Sequence, residues 1–121
     1  MESVLPDSEI LDLSRLVEAF EDDTAGIADL LDMALETGAK HRLALADGIA
    51  RGDAEVVRRA AHSIKGSSGN IGANVVMGLA SALDERARAG DLSGARESAD
   101  AIDAAYAQVA AEVRAYRASL G

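Results

Sequence analysis

Apolar residues recur at intervals of three and four along almost the whole chain, and this helical spacing restricts the fold more than any other feature. The pattern breaks at Gly52, in the Gly-Asn-Ile-Gly stretch at 69–72, and at Gly90. Glycine often follows the last turn of a helix because it adopts the left-handed backbone conformation without steric cost. With a further break near residue 22, these interruptions divide the chain into five predicted helices. Their apolar stripes are Ile10, Leu13, Leu16, Val17 and Phe20; Ile27, Leu30, Leu31, Ala34, Leu35, Leu45 and Ile49; Val57, Ala60, Ala61 and Ile64; Val76, Leu79, Ala80 and Leu83; and Ala99, Ile102, Ala105 or Tyr106, Val109 and Val113.

Short polar residues at the ends of these stripes predict where the helices begin. Their side chains can accept hydrogen bonds from the unpaired amide groups of a first helical turn. The pairs Gly52-Asp53 and Gly90-Asp91 combine such a start with a preceding glycine stop. The candidates are Asp22, Asp23 and Thr24 before the second helix, Asp53 before the third, and Asp91 or Ser93 before the fifth.

The predicted helices are joined by short connections, and helices joined in this way pack as antiparallel neighbours. The sequence therefore predicts an all-α fold, an antiparallel up-and-down four-helix bundle with an additional short N-terminal helix that caps it. A length of 121 residues suits one domain better than two, so we expect a single domain over 1–121.

The composition excludes several classes of protein. The chain has no cysteine, so it forms no disulfide, binds no zinc through thiolates and uses no thiol nucleophile. Its formal net charge of −9 argues against nucleic-acid binding, which depends on Lys and Arg contacts with phosphates. The first residues lack the basic start and apolar run of a signal peptide, and no apolar stretch approaches the roughly 20 residues of a membrane helix. We therefore expect a soluble, cytoplasmic protein that binds neither nucleic acid nor membrane.

One histidine lies on the face of the third predicted helix that points away from the core. On a helical wheel of about 100° per residue, His62 is opposite Val57, Ala60, Ile64 and Ser67. By itself this placement also fits an ordinary surface histidine on a solvated, charged face. The neighbours of the histidine on the exposed side are Arg58, Arg59, Lys65 and Gly66.

A run of small residues after the histidine argues against an ordinary surface. Gly66 stands inside the helical pattern, where glycine costs roughly 0.5–1 kcal/mol relative to alanine. Ser67 and Ser68 follow it, and serine is not a good helix former. Because Gly66 lies one turn after His62 on the same face, its missing side chain clears space beside the imidazole. These residues favour a site that another protein approaches closely.

The stretch at 61–73, Ala-His-Ser-Ile-Lys-Gly-Ser-Ser-Gly-Asn-Ile-Gly-Ala, resembles the signature of histidine-containing phosphotransfer (HPt) domains. That family's pattern is His-x-x-Lys-Gly-Ser/Ala, followed by an apolar residue and Gly-Ala. The resemblance continues through the fourth stripe to Asp84 and includes the turns at 50–53 and 89–91. It implies a helical bundle in which His62 accepts a phosphoryl group, through Nε2, from an aspartyl-phosphate on a partner.

The resemblance also implies roles for the residues around His62. Lys65 would offset the charge that spreads over the phosphoryl oxygens during transfer. Arginines at the edge of the site would steer an acidic partner, and small residues would allow its acidic pocket to come close. The predicted partner-docking residues are Arg58, Arg59, Ser63, Gly66 and Ser67.

The partners implied by the resemblance are response-regulator receiver domains and a hybrid histidine kinase. The Mg²⁺ ion and most of the catalysis would belong to the receiver domain, so we expect no cofactor or metal on this chain. The chain would then be a phosphoryl carrier without kinase activity of its own. We expect a monomer, because a docking site must stay uncovered. The other histidine, His41, is expected at the rim of the core.

Two alternatives remain open at this stage. One is the phosphate-accepting domain of a chemotaxis-type histidine kinase, which shares the Ala-His-Ser-Ile-Lys-Gly core. The other is a helical interaction module in which His62 is never phosphorylated.

Overall fold

The computed structural model describes residues 8–21 and 23–120, and within these ranges the chain forms five helices and no sheet. The all-α prediction is therefore confirmed. Residues 1–7, Asp22, which was one of the predicted cap residues, and Gly121 lie outside the described residues. The helices are α1 (Ser14–Ala19), α2 (Thr24–Arg51), α3 (Ala54–Asn70), α4 (Asn74–Arg88) and α5 (Ala95–Ser119).

The four long helices form a bundle around one core. Consecutive helices pack against each other, and α2 also packs against α5, which closes the ring. The turns between the helices are short, so each helix runs antiparallel to the next. The predicted stripes supply most of the buried apolar side chains, and the fifth stripe buries both Ala105 and Tyr106. The largest fully buried side chains are Tyr116, Leu11, Leu13, Ile27, Leu31, Leu45, Ile64, Leu83, Ile102, Val57, Val76 and Val109.

The first helix is shorter than the sequence pattern predicts, because the residues just before it are not helical. The amide of Asp12 donates to the carbonyl oxygen of Gly72 at 3.0 Å, in the turn between α3 and α4. Leu11 and Leu13, two positions apart on this non-helical segment, are both fully buried. The helix begins only at Ser14, where the Asp12 carboxylate accepts hydrogen bonds from the amide and hydroxyl groups of that serine. The segment before α1 therefore closes one end of the core.

The predicted cap residues are correct for two helices and wrong for the fifth. Asp23 accepts from the amide of Gly26 to cap α2, and Asp53 accepts from the amide of Val56 to cap α3. The residue before α5 is Gly94, in the left-handed conformation and without a side-chain cap. Asp91 and Ser93 do not open that helix because they bond to each other, with the Ser93 amide and hydroxyl donating to the Asp91 carboxylate.

None of the helices in the described part of the chain is long and apolar enough to cross a membrane.

Candidate functional site

His62 lies in the middle of α3, with its side chain 59% exposed. Val57, Ala60 and Ile64 on the opposite side of this helix are buried, as the helical wheel predicts. The ring does not stand alone in solvent. Its Nδ1 atom lies 3.3 Å from the Oδ2 atom of Asp84 on α4.

Asp84 is a buried carboxylate beneath the exposed imidazole. Its side chain is 4% exposed, and its other oxygen, Oδ1, accepts a hydrogen bond from Nε of Arg88 at 3.1 Å. Burial alone would raise the pKa of Asp84, but the hydrogen bonds from His62 and Arg88 outweigh it and hold the pKa below its usual value of 3.8. The carboxylate is therefore ionised at neutral pH and can only accept hydrogen bonds.

The ionised carboxylate decides which nitrogen of the imidazole carries the proton. Because Asp84 cannot donate, the contact at 3.3 Å is a hydrogen bond only when Nδ1 of His62 holds a hydrogen. In the neutral ring, Nε2 then has the lone pair and no hydrogen. The arrangement thus selects the tautomer with the proton on Nδ1.

Lys65 lies one turn after His62 and is half-buried. Helical side chains lean toward the N-terminus of their helix, so its side chain leans back in the direction of His62. The ion pairs found among residues 8–21 and 23–120 do not include Lys65. Its ammonium group is thus available to an anion that forms at the ring.

The two arginines before His62 are both paired with an acid on their own helix. Arg58 binds Glu55 with two hydrogen bonds, at 3.1 Å through Nε and at 2.7 Å through Nη2. Arg59 donates from Nε to the same carboxylate at 3.1 Å. These contacts, above all the hydrogen bond from Arg58, lower the pKa of Glu55 from 4.5 to about 2. One acid therefore offsets part of the charge of both arginines.

Gly66 is exposed, and a Cβ atom added to it would meet no heavy atom within 4 Å. No packing contact explains the glycine, which agrees with the prediction that it leaves space beside His62. Ser63 is half-buried and lines a groove between α2 and α3. Ser67 is half-buried on the other side of α3, with its hydroxyl 3.4 Å from the carbonyl oxygen of Ile64. Gly66 and Ser63 therefore lie on the same exposed side of α3 as His62, whereas Ser67 does not.

The contribution of α4 to the site was not predicted as a role, although Asp84 falls within the resemblance. Asp84 is 22 positions from His62 in the sequence, and only the packing of α3 on α4 brings the two together. A signal did exist, since Asp84 stands four residues after Ala80 and three before Ala87, on the buried stripe of α4. An acid at such a position needs partners, and here they are His62 and Arg88.

A sequence profile described as "Hpt domain" matches residues 29–112, a range that contains every residue of this site. The chain therefore belongs to the Hpt domain family, whose members carry phosphoryl groups in two-component signalling. Among solved structures, it is similar to the crystal structure of histidine-containing phosphotransfer protein B (HptB) from Pseudomonas aeruginosa PAO1. The two are 29% identical, with a TM-score of 0.78 over 93% of this chain and 94% of that chain. No curated protein sequence matches the chain.

Proposed function

We propose that this protein is a phosphorelay carrier that accepts a phosphoryl group on Nε2 of His62 from a receiver-domain aspartate and passes it to another receiver aspartate. The observation that carries the proposal is the exposed imidazole whose Nδ1 is bound by the buried carboxylate of Asp84. That contact prepares Nε2 as a nucleophile on a surface with little steric obstruction. Membership of the Hpt family supports the same conclusion.

The imidazole of His62 and the phosphorylated aspartate supply all the atoms that take part in the transfer. The lone pair of Nε2 attacks phosphorus, and the nitrogen–phosphorus bond forms as the bond from phosphorus to the aspartate oxygen breaks. The electron pair of the broken bond leaves with that oxygen as a carboxylate. Nδ1 keeps its proton, so the phosphorylated ring carries a positive charge, which the carboxylate of Asp84 stabilises at 3.3 Å. In the return step a second aspartate attacks phosphorus, and the electron pair goes back to Nε2.

The cations around the ring have separate tasks in this proposal. Lys65 offsets the negative charge on the phosphoryl oxygens, which is spread over three atoms in the loose transition state. Arg58 and Arg59 act at longer range on an acidic partner. The Mg²⁺ ion belongs to the receiver domain, whose acidic pocket holds the reacting aspartate. The first donor in the relay is the receiver domain of a hybrid histidine kinase, and the compartment is the cytoplasm.

The first test asks whether His62 takes a phosphoryl group without a protein donor. Phosphoramidate, a small phosphoryl donor, is expected to label the wild-type protein with an acid-labile, base-stable phosphate. His62→Gln should lose the label and stay folded, because the glutamine amide can still donate a hydrogen bond to the carboxylate of Asp84 in place of Nδ1. His41→Gln is the matched control and should keep the label. A labelled His62→Gln protein would contradict the assignment.

The second test separates the phosphorelay from the two alternatives. Phosphate on His62 should move to receiver domains encoded in the same genome and return from them when the phosphorylated receiver is supplied. Labelling by an ATP-dependent kinase domain without any receiver would instead favour the chemotaxis-type kinase. No exchange with any receiver or kinase would favour the unphosphorylated interaction module.

A further inference from the structure

The first turn of α4 is completed by a segment from the beginning of the chain. The residue before this helix, Ala73, gives it no side-chain cap. An amide in the first turn of a helix needs an acceptor from outside the helix. For Val75 that acceptor is the backbone carbonyl oxygen of Glu9, at 3.1 Å. Residues 8–13, which we call the N-terminal segment, therefore take the place of a cap for α4.

The N-terminal segment also lies against the turn between α3 and α4. The amide of Asp12 donates to the carbonyl oxygen of Gly72 at 3.0 Å. Gly72 has a φ angle of 75°, and a Cβ atom added to it would overlap the carbonyl oxygen of Asp12. Only glycine permits this approach. The burial of Leu11 and Leu13 in the core holds the segment in place against the turn.

The position of α4 decides whether Asp84 reaches His62, because the two residues belong to the two helices that this turn joins. Each residue adds about 1.5 Å to the length of a helix. A displacement of α4 along α3 by one residue would be enough to lengthen the contact of 3.3 Å between Nδ1 and Oδ2 beyond the range of a hydrogen bond. Whatever fixes the start of α4 therefore also acts on the ring.

We infer that the N-terminal segment positions Asp84 against His62 by fixing the start of α4, and that it thereby helps to set the tautomer of the ring. The inference rests on the proposed function, in which the proton on Nδ1 leaves Nε2 free to accept the phosphoryl group. The family profile matches residues 29–112, so the N-terminal segment is a feature of this chain outside the matched range. Its residues are positioning residues that act through α4.

Gly72→Ala tests the inference in the full chain, because the added Cβ atom displaces the N-terminal segment from the turn. Nitrogen-15 chemical shifts of His62 should show more of the tautomer with the proton on Nε2. The rate of phosphoryl acceptance from phosphoramidate should fall about fivefold, as expected for partial loss of a hydrogen bond to a charged group. Hydrogen exchange at the amide of Val75 should become faster, because this amide loses its acceptor.

The matched control is Gly90→Ala, in the turn between α4 and α5. Gly90 has the same φ angle of 75°, but a Cβ atom there would meet no heavy atom within 4 Å. Both substitutions strain the backbone alike, so Gly90→Ala should lower the thermal midpoint and keep the tautomer and the rate of the wild-type protein. Leu11→Ala is a second variant, which loosens the segment from the core without changing the turn, and it should shift the tautomer in the same direction as Gly72→Ala.

The outcomes separate this inference from the proposed function. A wild-type tautomer in both Gly72→Ala and Leu11→Ala would overturn the role of the N-terminal segment alone. A shifted tautomer without faster exchange at Val75 would also overturn it, because the segment would then not act through the start of α4. Failure of phosphoramidate to label the wild-type protein would overturn the proposed function with it.

Discussion

His62, Asp84 and Arg88 form a chain of charge-assisted contacts in which each residue fixes the next. Arg88 holds one oxygen of the buried carboxylate, and the other oxygen holds Nδ1 of the imidazole. Burying a carboxylate costs free energy because the charge loses its hydration. In Asp84 the two hydrogen bonds, from His62 and Arg88, offset this cost. Because the guanidinium of Arg88 is half-exposed, it can lose its partner without leaving a buried charge. Asp84 is therefore a positioning residue whose removal should be felt at the ring more than in the fold.

Replacing Asp84 tests this directly. Asp84→Ala should release the Nδ1 proton and shift the neutral ring toward the tautomer with the proton on Nε2, which blocks the nucleophilic atom. The rate of phosphoryl acceptance should fall about tenfold to a hundredfold, the equivalent of a hydrogen bond to a charged group of about 1.5–3 kcal/mol. Nitrogen-15 chemical shifts of the ring report the tautomer, and transfer kinetics report the rate. Asp84→Asn is the control, because its amide oxygen still accepts from Nδ1 and should keep the tautomer while losing the charge.

Residues related by helical spacing could be predicted from the sequence, and residues related by packing could not. The exposure of His62 and the open space at Gly66 follow from the wheel of one helix. The contact with Asp84 depends on how α3 and α4 are set against each other, which no local pattern specifies. The pairing of Glu55 with Arg58 was open to prediction, since residues three apart on a helix are neighbours.

At the scale of the helix, two glycines allow the steric role of Gly66 to be separated from its effect on stability. Gly66 on α3 and Gly78 on α4 are both exposed, and an added Cβ atom would meet nothing within 4 Å at either position. Neither glycine has the positive φ angle that would require it. Each should therefore cost its helix about 0.5–1 kcal/mol relative to a better helix former. Only Gly66 lies beside His62.

The same substitution at the two glycines should change stability equally but should change the rate of phosphoryl transfer only at Gly66. Gly66→Leu and Gly78→Leu are both expected to raise the thermal midpoint, because leucine is the better helix former. Gly66→Leu should slow transfer from a phosphorylated receiver more than any other single change around the ring, since the side chain obstructs the approaching aspartate. Gly78→Leu should transfer normally. If Gly66→Leu also transfers normally, the glycine in the motif does not serve to admit the partner.

The ends of the helices show where local signals were sufficient and where tertiary contacts overrode them. Asp23 and Asp53 cap α2 and α3 as short polar residues at such positions are expected to do. The start of α1 was misplaced because Leu11 and Leu13 are buried in a non-helical segment that bonds to the turn at Gly72 through the amide of Asp12. The single interval of two residues, between Leu11 and Leu13, did not reveal a non-helical segment, because intervals of three and four surround it in the sequence.

At the scale of the whole molecule, a net charge of −9 coexists with a cluster of cations around one ring. Arg58, Arg59, Lys65 and Arg88 lie on α3 and α4 near His62, where Glu55 and Asp84 pair with three of them. A second copy of the chain carries the same net charge and is repelled at long range, which supports our expectation of a monomer. Light scattering at micromolar concentration should give the mass of one chain, and a stable mass of two chains would contradict it.

Glu55 offsets part of the positive charge around His62, so neutralising this acid should speed up association with a receiver domain. Glu55→Gln removes the carboxylate that Arg58 and Arg59 share, so both guanidinium groups face the partner with their full charge. At about 0.01 M salt, charges act over about 30 Å, and we expect the association rate of the variant to be about threefold that of the wild-type protein. At about 1 M salt, charges act over only about 3 Å, and the two rates should be equal. Stopped-flow fluorescence with a labelled receiver domain measures both rates. Asp32→Asn is the control, because it removes the same charge from an ion pair with Arg117 between α2 and α5. An equal acceleration by Asp32→Asn would mean that net charge, and not the cluster around His62, guides the partner.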